Sequence, residues 1–302
     1  MRWWHFDAVI LFFLVATGML LVELGKRWMH RRRRPLAVDF AVCLGAWGVV
    51  FYGSFVEPQI LLIHEERVTL SDGADRSLRV ALVSDIHLGP YRDETWARRI
   101  VGAIQATRPD VVLWAGDFIA GKPEEADGLF LLRDLSAPYG VFAVTGNHDY
   151  RETEADEVVV KRLEEAGVRV LRNETIHITV GNKDVILAGV DDVWFEGNPN
   201  QTLRNLKQED MVVLLAHNPD VVLSPASRVA DLILAGHTHG GQIRLPFLGP
   251  VPQIPTALGN EYDRGLFRFD ETLLFITSGV GETGPRARLF VPPEIAVLEI
   301  AF

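Results

Sequence analysis

The sequence holds a single cysteine, Cys43, in 302 residues. No internal disulfide can form, and no thiolate cluster can hold a metal. Basic residues are also short: 30 Lys and Arg stand against 40 Asp and Glu, for a net charge of −10. The shortage is uneven. Residues 1–56 carry seven Lys and Arg and three Asp and Glu, a net of +4, which leaves −14 for residues 57–302. A general nucleic-acid binder needs a basic face that so acidic a body lacks. Residues 57–302 show no repeat of fixed period and no low-complexity linker.

What the chain does have is apolar length. Ala8 to Val22 is uncharged, and Leu36 to Val56 is broken only by Asp39. Each approaches the ~20 residues that cross a bilayer, and Trp3, Trp4 and Trp28 fit an interfacial aromatic belt. The alternative is a signal peptide followed by a buried helix, but no small-residue cleavage site follows the first run. Between the runs lies Lys26-Arg27-Trp28-Met29-His30-Arg31-Arg32-Arg33-Arg34. Six positive charges there should stay cytoplasmic. The expectation is therefore a two-span anchor over residues 1–56 in an inner membrane, with residues 57–302 on the extracytoplasmic side.

Beyond residue 57, strands and helices alternate. Ile60–Leu70 reads as an edge strand and Leu78–Ser84 as a buried one. Asp93 caps a helix over Glu94–Gln105. Helices also read over Glu124–Leu135, Glu154–Ala166 and, shorter, Gln201–Leu206. A hairpin turns at Gly181-Asn182, and the last third is mostly strand-like, from Gln242–Leu245 to Ile295–Ile300. Five apolar runs stop abruptly at polar residues. They deliver Asp85 and His87; Asp117; Asn147, His148 and Asp149; His217; and His237 and His239. Ligands of open α/β sheets gather at strand ends, so one shared polar site is expected. Singly, a buried His is usually a satisfied core residue and a Gly-Asp pair a turn. Jointly, they read as a metal site.

The ordered motifs D-x-H, G-D, G-N-H-D, H and G-H-x-H resemble the calcineurin-like metallophosphoesterases, over about residues 78–302. Ala216-His217-Asn218-Pro219-Asp220 and Gly236-His237-Thr238-His239-Gly240-Gly241 resemble its membrane-associated bacterial YkuE/YaeI-like subgroup. The resemblance implies an α/β fold, a four-layer αββα sandwich, and two metal ions. Asp85, His87 and His239 would hold the first, Asn147, His217 and His237 the second, and Asp117 would bridge them. One carboxylate can span cations about 3.5–4 Å apart, and such a pair activates water and neutralises a phosphoryl group. Imidazole and oxygen ligands suit Mn, Fe, Zn or Mg, with Mn favoured. His148 would then stabilise the transition state or protonate the leaving oxygen. Asp149 would orient a histidine or cap a turn.

The expected activity is hydrolysis of a P–O bond by metal-activated hydroxide in a phosphorylated small molecule or lipid. The alternatives are a UDP-2,3-diacylglucosamine pyrophosphatase of lipid A synthesis and a non-catalytic metal-binding scaffold. Arg244 and Arg286 are candidate phosphate contacts, and Asp191-Asp192 a candidate addition to the site. Trp194-Phe195 and Leu245–Leu258 form either packing or an apolar rim.

Overall fold

A computed structural model of the chain describes residues 4–31, 34–71 and 73–302; Trp3, Arg32 and Arg33, named above, lie outside them. Helices α1 (Trp4–Arg31) and α2 (Arg34–Phe51) form a hairpin in which Trp47 Nε1 donates to Leu14 O at 3.1 Å. Both are long and apolar enough to cross a membrane. Val9, Phe12, Val15 and Met19 are exposed, whereas a core helix would bury them. The second helix continues beyond Phe51 through a wider π turn (Tyr52–Val56) and a tight turn at Glu57–Gln59, where Pro58 ends it. That end is docked. Arg288 N donates to Gly53 O at 2.8 Å, and Val291 N to the buried Glu57 carboxylate at 2.6 Å. At the start of α1, Tyr91 OH donates to Asp7 Oδ1 at 3.2 Å. The open end of the hairpin thus meets the body of the molecule.

That body holds two six-stranded sheets. The first contains β1 (Leu62–Thr69), β2 (Ser77–Val83), β3 (Val111–Ala115), β4 (Val141–Val144), β5 (Arg169–Val170) and β14 (Glu294–Ala301), in the order β1-β14-β2-β3-β4-β5. The second contains β6 (Glu174–Val180), β7 (Lys183–Val190), β8 (Val212–Ala216), β9 (Leu232–Ala235), β12 (Gly265–Phe269) and β13 (Thr272–Ile276), in the order β12-β13-β9-β8-β7-β6. A small hairpin, β10 (Arg244–Leu245) with β11 (Gly249–Pro250), stands apart.

Side chains alternate across each strand. Val80 and Leu82 face Val213, Leu215 and Leu234 between the sheets. Ala81 and Val83 face outward to α3 (Glu94–Ala106) and α4 (Ala155–Glu165). The outer face of the second sheet is covered by α5 (Pro199–Leu203) and the short turns at Pro219–Leu223 and Pro225–Val229. This is the expected layered α/β sandwich. Asp93 caps α3, its carboxylate accepting from Trp96 N at 3.1 Å.

Two helices differ from expectation. The expected helix over Glu124–Leu135 is a 3₁₀ coil at Pro123–Asp134, and three of its four buried residues, Ala126, Leu129 and Leu132, recur every three residues, the 3₁₀ period. The expected Gln201–Leu206 helix begins earlier, because Asn198 caps it and Pro199 takes its first position. Gln242–Leu245 keeps only its last two residues as strand.

Candidate metal centre

Strands β2, β3 and β4 of one sheet and β8 and β9 of the other end at the same place. Asp85, His87, Asp117, Asn147, His148, His217, His237 and His239 meet there, and Asp and His groups from both sheets lie close enough to share a cation. The backbone is bent to present them. Asp85, His87, Asp117, His237 and His239 all have φ between 48° and 72°, the left-handed region that side chains avoid. Glycines make room beside them. A Cβ on Gly236 would lie 2.0 Å from Ser84 Oγ, and one on Gly146 2.3 Å from Asp117 Oδ1.

The hydrogen bonds of the rings fix where their lone pairs point. A carbonyl only accepts, so a ring nitrogen bonded to one carries the proton. His217 Nδ1 donates to Ala115 O at 2.6 Å, and His237 Nε2 to Pro255 O at 2.7 Å. The other two nitrogens, His217 Nε2 and His237 Nδ1, are therefore lone pairs in the neutral rings, and they face each other at 3.0 Å. Asn147 Oδ1 lies 3.2 Å and Asp117 Oδ2 3.4 Å from His217 Nε2. The same pattern recurs beside it. His87 Nδ1 donates to Ile119 O at 3.2 Å, which leaves His87 Nε2 3.1 Å from His239 Nε2, 3.5 Å from Asp117 Oδ2 and 3.7 Å from Asp85 Oδ1. Asp85 Oδ1 and His239 Nδ1 are buried with no hydrogen-bond partner among the described residues. With the rings neutral, acceptors converge there without donors, an arrangement that cations resolve. The residues present fit divalent metal, and the donor set is nitrogen and oxygen only.

Protonation in the metal-free pocket is divided accordingly. Burial works to lower His217, yet the Asp117, Asp85 and Asp192 carboxylates hold it well above its ordinary value. His87 is likewise raised, by Asp85 and Asp117 against burial. Burial, with His217 beside it, pushes His237 down to about 4. Asp85 and Asp117 are held low by the histidines around them despite burial. Two protons thus stand opposite two carboxylates, in the space where cations would sit.

His148 donates its Nδ1–H to Ala120 O at 3.1 Å, and its Nε2 lies 3.4 Å from Thr283 Oγ1. Burial pushes it down to about 3. Asp149 does not orient a histidine. Its carboxylate accepts from the backbone N–H of Gly146 (2.9 Å), Asp117 (3.1 Å), Phe118 (2.9 Å) and Ile119 (3.3 Å), clamping the loops after β3 and β4 together. Burial and the Asp117 charge push it up to about 7.

Other expectations fare differently. Arg244 pairs with Asp263 at 3.0 Å, and Arg286 lies over the rings of Phe55 and Tyr91. Asp191 is held by Thr145 at 2.7 Å, while Asp192 approaches His217 and is pushed by burial up to about 6. Sequence reasoning missed Arg151 and Thr283. Arg151 is an exposed cation within electrostatic reach of Asp117 and His148. It lies four residues after the ligand-type Asn147, which was the available signal. Trp194 packs edge-on against His237, its ring 4.6 Å away.

Comparison with known proteins agrees with this geometry. The family model described as calcineurin-like phosphoesterase matches residues 78–241. The metallophosphoesterase YkuE of Bacillus subtilis is 32% identical over 272 residues, covering 86% of this chain and 92% of its own length. A metallophosphoesterase of Aquifex aeolicus is 32% identical, covering 86% of this chain and 97% of its own. The phosphodiesterase YaeI of Escherichia coli is 29% identical, covering 90% of this chain and all of its own.

Proposed function

The chain belongs to the calcineurin-like phosphoesterase family, and from that premise we propose a metal-dependent phosphoesterase with a catalytic body at residues 57–302 anchored to a bacterial inner membrane by residues 1–56. The observation that carries the reading is the approach of His217 Nε2 and His237 Nδ1 to 3.0 Å, with Asn147 Oδ1 and Asp117 Oδ2 beside His217 Nε2, because the other nitrogen of each ring is committed to a backbone carbonyl. Asp85, His87 and His239 form the first ligand set, Asn147, His217 and His237 the second, with Asp117 shared. Two divalent cations bound there, with Mn favoured, would lower the pKa of a water and offset phosphoryl charge.

The protein's own groups do the rest. Asp149 fixes the two loops by its four backbone contacts, so the ligands are preorganised rather than gathered by the substrate. His148 meets the substrate as a neutral ring, and an anionic phosphoryl group beside it would draw a proton onto Nε2, ready for the leaving oxygen. Arg151 supplies a second positive charge to non-reacting phosphoryl oxygens. The substrate is an amphiphilic or cell-envelope phosphoester. The relative named as a phosphodiesterase favours a diester.

The test is hydrolysis of bis(p-nitrophenyl) phosphate by the full chain. A chelator should abolish it and Mn²⁺ restore it, with metal content measured alongside. Full activity in a verified metal-free preparation would overturn the reading.

A further inference from the structure

One feature lies outside that chemistry. The β10–β11 hairpin ends in two adjacent large apolar side chains, Phe247 and Leu248, the first wholly exposed and the second 79% exposed. Single exposed apolar residues are ordinary, but two together at a loop tip mark a surface that meets something apolar. Beneath the hairpin runs a groove of about 360 Å³, within the size range of small-ligand sites. Its walls are mainly apolar, with Ile243, Val251, Pro252 and Ile254 beside the polar Gln242 and Gln253. At its inner end are His239 and Thr283, and Thr283 Oγ1 is also 3.4 Å from His148 Nε2. An apolar groove therefore opens directly on a polar, charge-dense centre.

The groove is also joined to the membrane-proximal end of the fold. Arg244 N donates to Leu289 O at 2.9 Å, and Leu289 N to Gln242 O at 2.8 Å. The neighbouring Arg288 N donates to Gly53 O, at the docked end of the second apolar helix. Phe290, on the same segment, is half exposed. Hairpin, groove and helix end are consecutive along one hydrogen-bonded strip.

We propose that this groove takes a hydrocarbon chain of the phosphoester, with the Phe247–Leu248 tip seated in the lipid surface at its mouth. This rests on the phosphoesterase reading and adds where the substrate's apolar part goes. The occupant must be amphiphilic, because one end of the groove is metal-ligand chemistry and the walls are mainly apolar.

The experiment uses the full chain in lipid nanodiscs and octylphosphonate carrying a terminal diazirine, photolysed and mapped by peptide mass spectrometry. Labels should concentrate on residues 243–255 and 285. Excess octylphosphonate should suppress them, and methylphosphonate at equal concentration should not, since each buried methylene tightens binding several-fold. Val251→Glu, at a half-exposed position, should lower labelling by about fivefold or more. Labels spread over the helices, or equal labelling of wild type and Val251→Glu, overturn the groove. Aryl phosphate turnover separates the two readings. An active protein labelled elsewhere loses only the groove assignment. A protein labelled in the groove that hydrolyses no phosphoester keeps the chain site and loses the phosphoesterase reading.

Discussion

The backbone N–H of His148 donates to Asp117 Oδ1 at 2.8 Å. Asp117 is thereby divided between two tasks. One oxygen holds the loop after β4 in register, and the other faces His87 and His217 at 3.5 and 3.4 Å. The residue proposed to acidify the leaving group is thus indexed to the residue proposed to bridge the cations.

That division makes Asp117→Asn informative. The amide keeps an oxygen for His148 N–H, so the loop should hold while the charge is lost. Metal content and turnover should both collapse. Asp149→Asn should act the other way: an amide NH₂ facing backbone donors leaves buried N–H groups unpaired, for about 1–3 kcal/mol of stability, with most metal retained. Elemental analysis and a thermal melt on both variants check this. Equal metal in Asp117→Asn and wild type would contradict the bridge.

Metal uptake should expel protons. With His217 and His87 raised in the metal-free pocket, both are charged near pH 6.5, and a ligand nitrogen must be neutral. Between about one and two protons should leave per protein, and affinity should fall as pH falls. Calorimetric titration with Mn²⁺ in two buffers of different ionisation enthalpy measures the number. A value of zero would place the cations elsewhere.

His148→Ala should leave two metals bound, because the other residues fill both proposed sets. The lost proton donor should cost about 10²–10⁴ in rate for a poor leaving group, and less for an activated aryl phosphate. Equal losses on both substrates would make electrostatic stabilisation the better account. Loss of metal would make position 148 a ligand, which its closeness to His87 and Asp117 permits.

Orientation is tested by a reporter fused after Phe302. The basic stretch from Lys26 to Arg34 predicts activity only from a reporter that works when exported. A cytoplasmic signal would reverse the topology and favour a UDP-diacylglucosamine pyrophosphatase, whose nucleotide substrate is made inside.

Away from the centre, His64 offers a control. Its hydrogen bond to Glu294 and the nearby charges raise it above its ordinary value against burial, with Nδ1 and Oε2 3.4 Å apart. A raised folded-state value contributes stability that is full below about pH 6.5 and fades as pH climbs through the folded value. The melting-temperature gap between wild type and His64→Asn should shrink on going from about pH 6 to pH 8. A gap independent of pH would assign the contribution to packing.

Much of the site was legible because parallel strands buried on both faces read as unbroken apolar runs, and Val111–Ala115 or Val212–Ala216 can be followed to the residue where the run stops. The sequence shows which residues sit at strand ends, but not what their second atoms touch. Asp149 reads the same whether it meets a histidine or four amides. Arg244 looks available until Asp263 arrives beside it, and the docking of Glu57 on Val291 joins residues 234 apart. The helix around Ala126 failed for another reason: Ala126, Leu129 and Leu132 recur every three residues, a spacing that also fits the i, i+3 step of an α-helix.

The left-handed backbone at Asp85, His87, Asp117, His237 and His239 has a consequence for how such a chain changes over generations. Each non-glycine residue held there costs about 1–3 kcal/mol, and five together are of the order of a whole domain's net stability. Replacing any one by glycine relieves strain and loses a ligand. Drift toward the most stable version of this fold would therefore dismantle the centre, and the five bends persist only while something selects for what they hold.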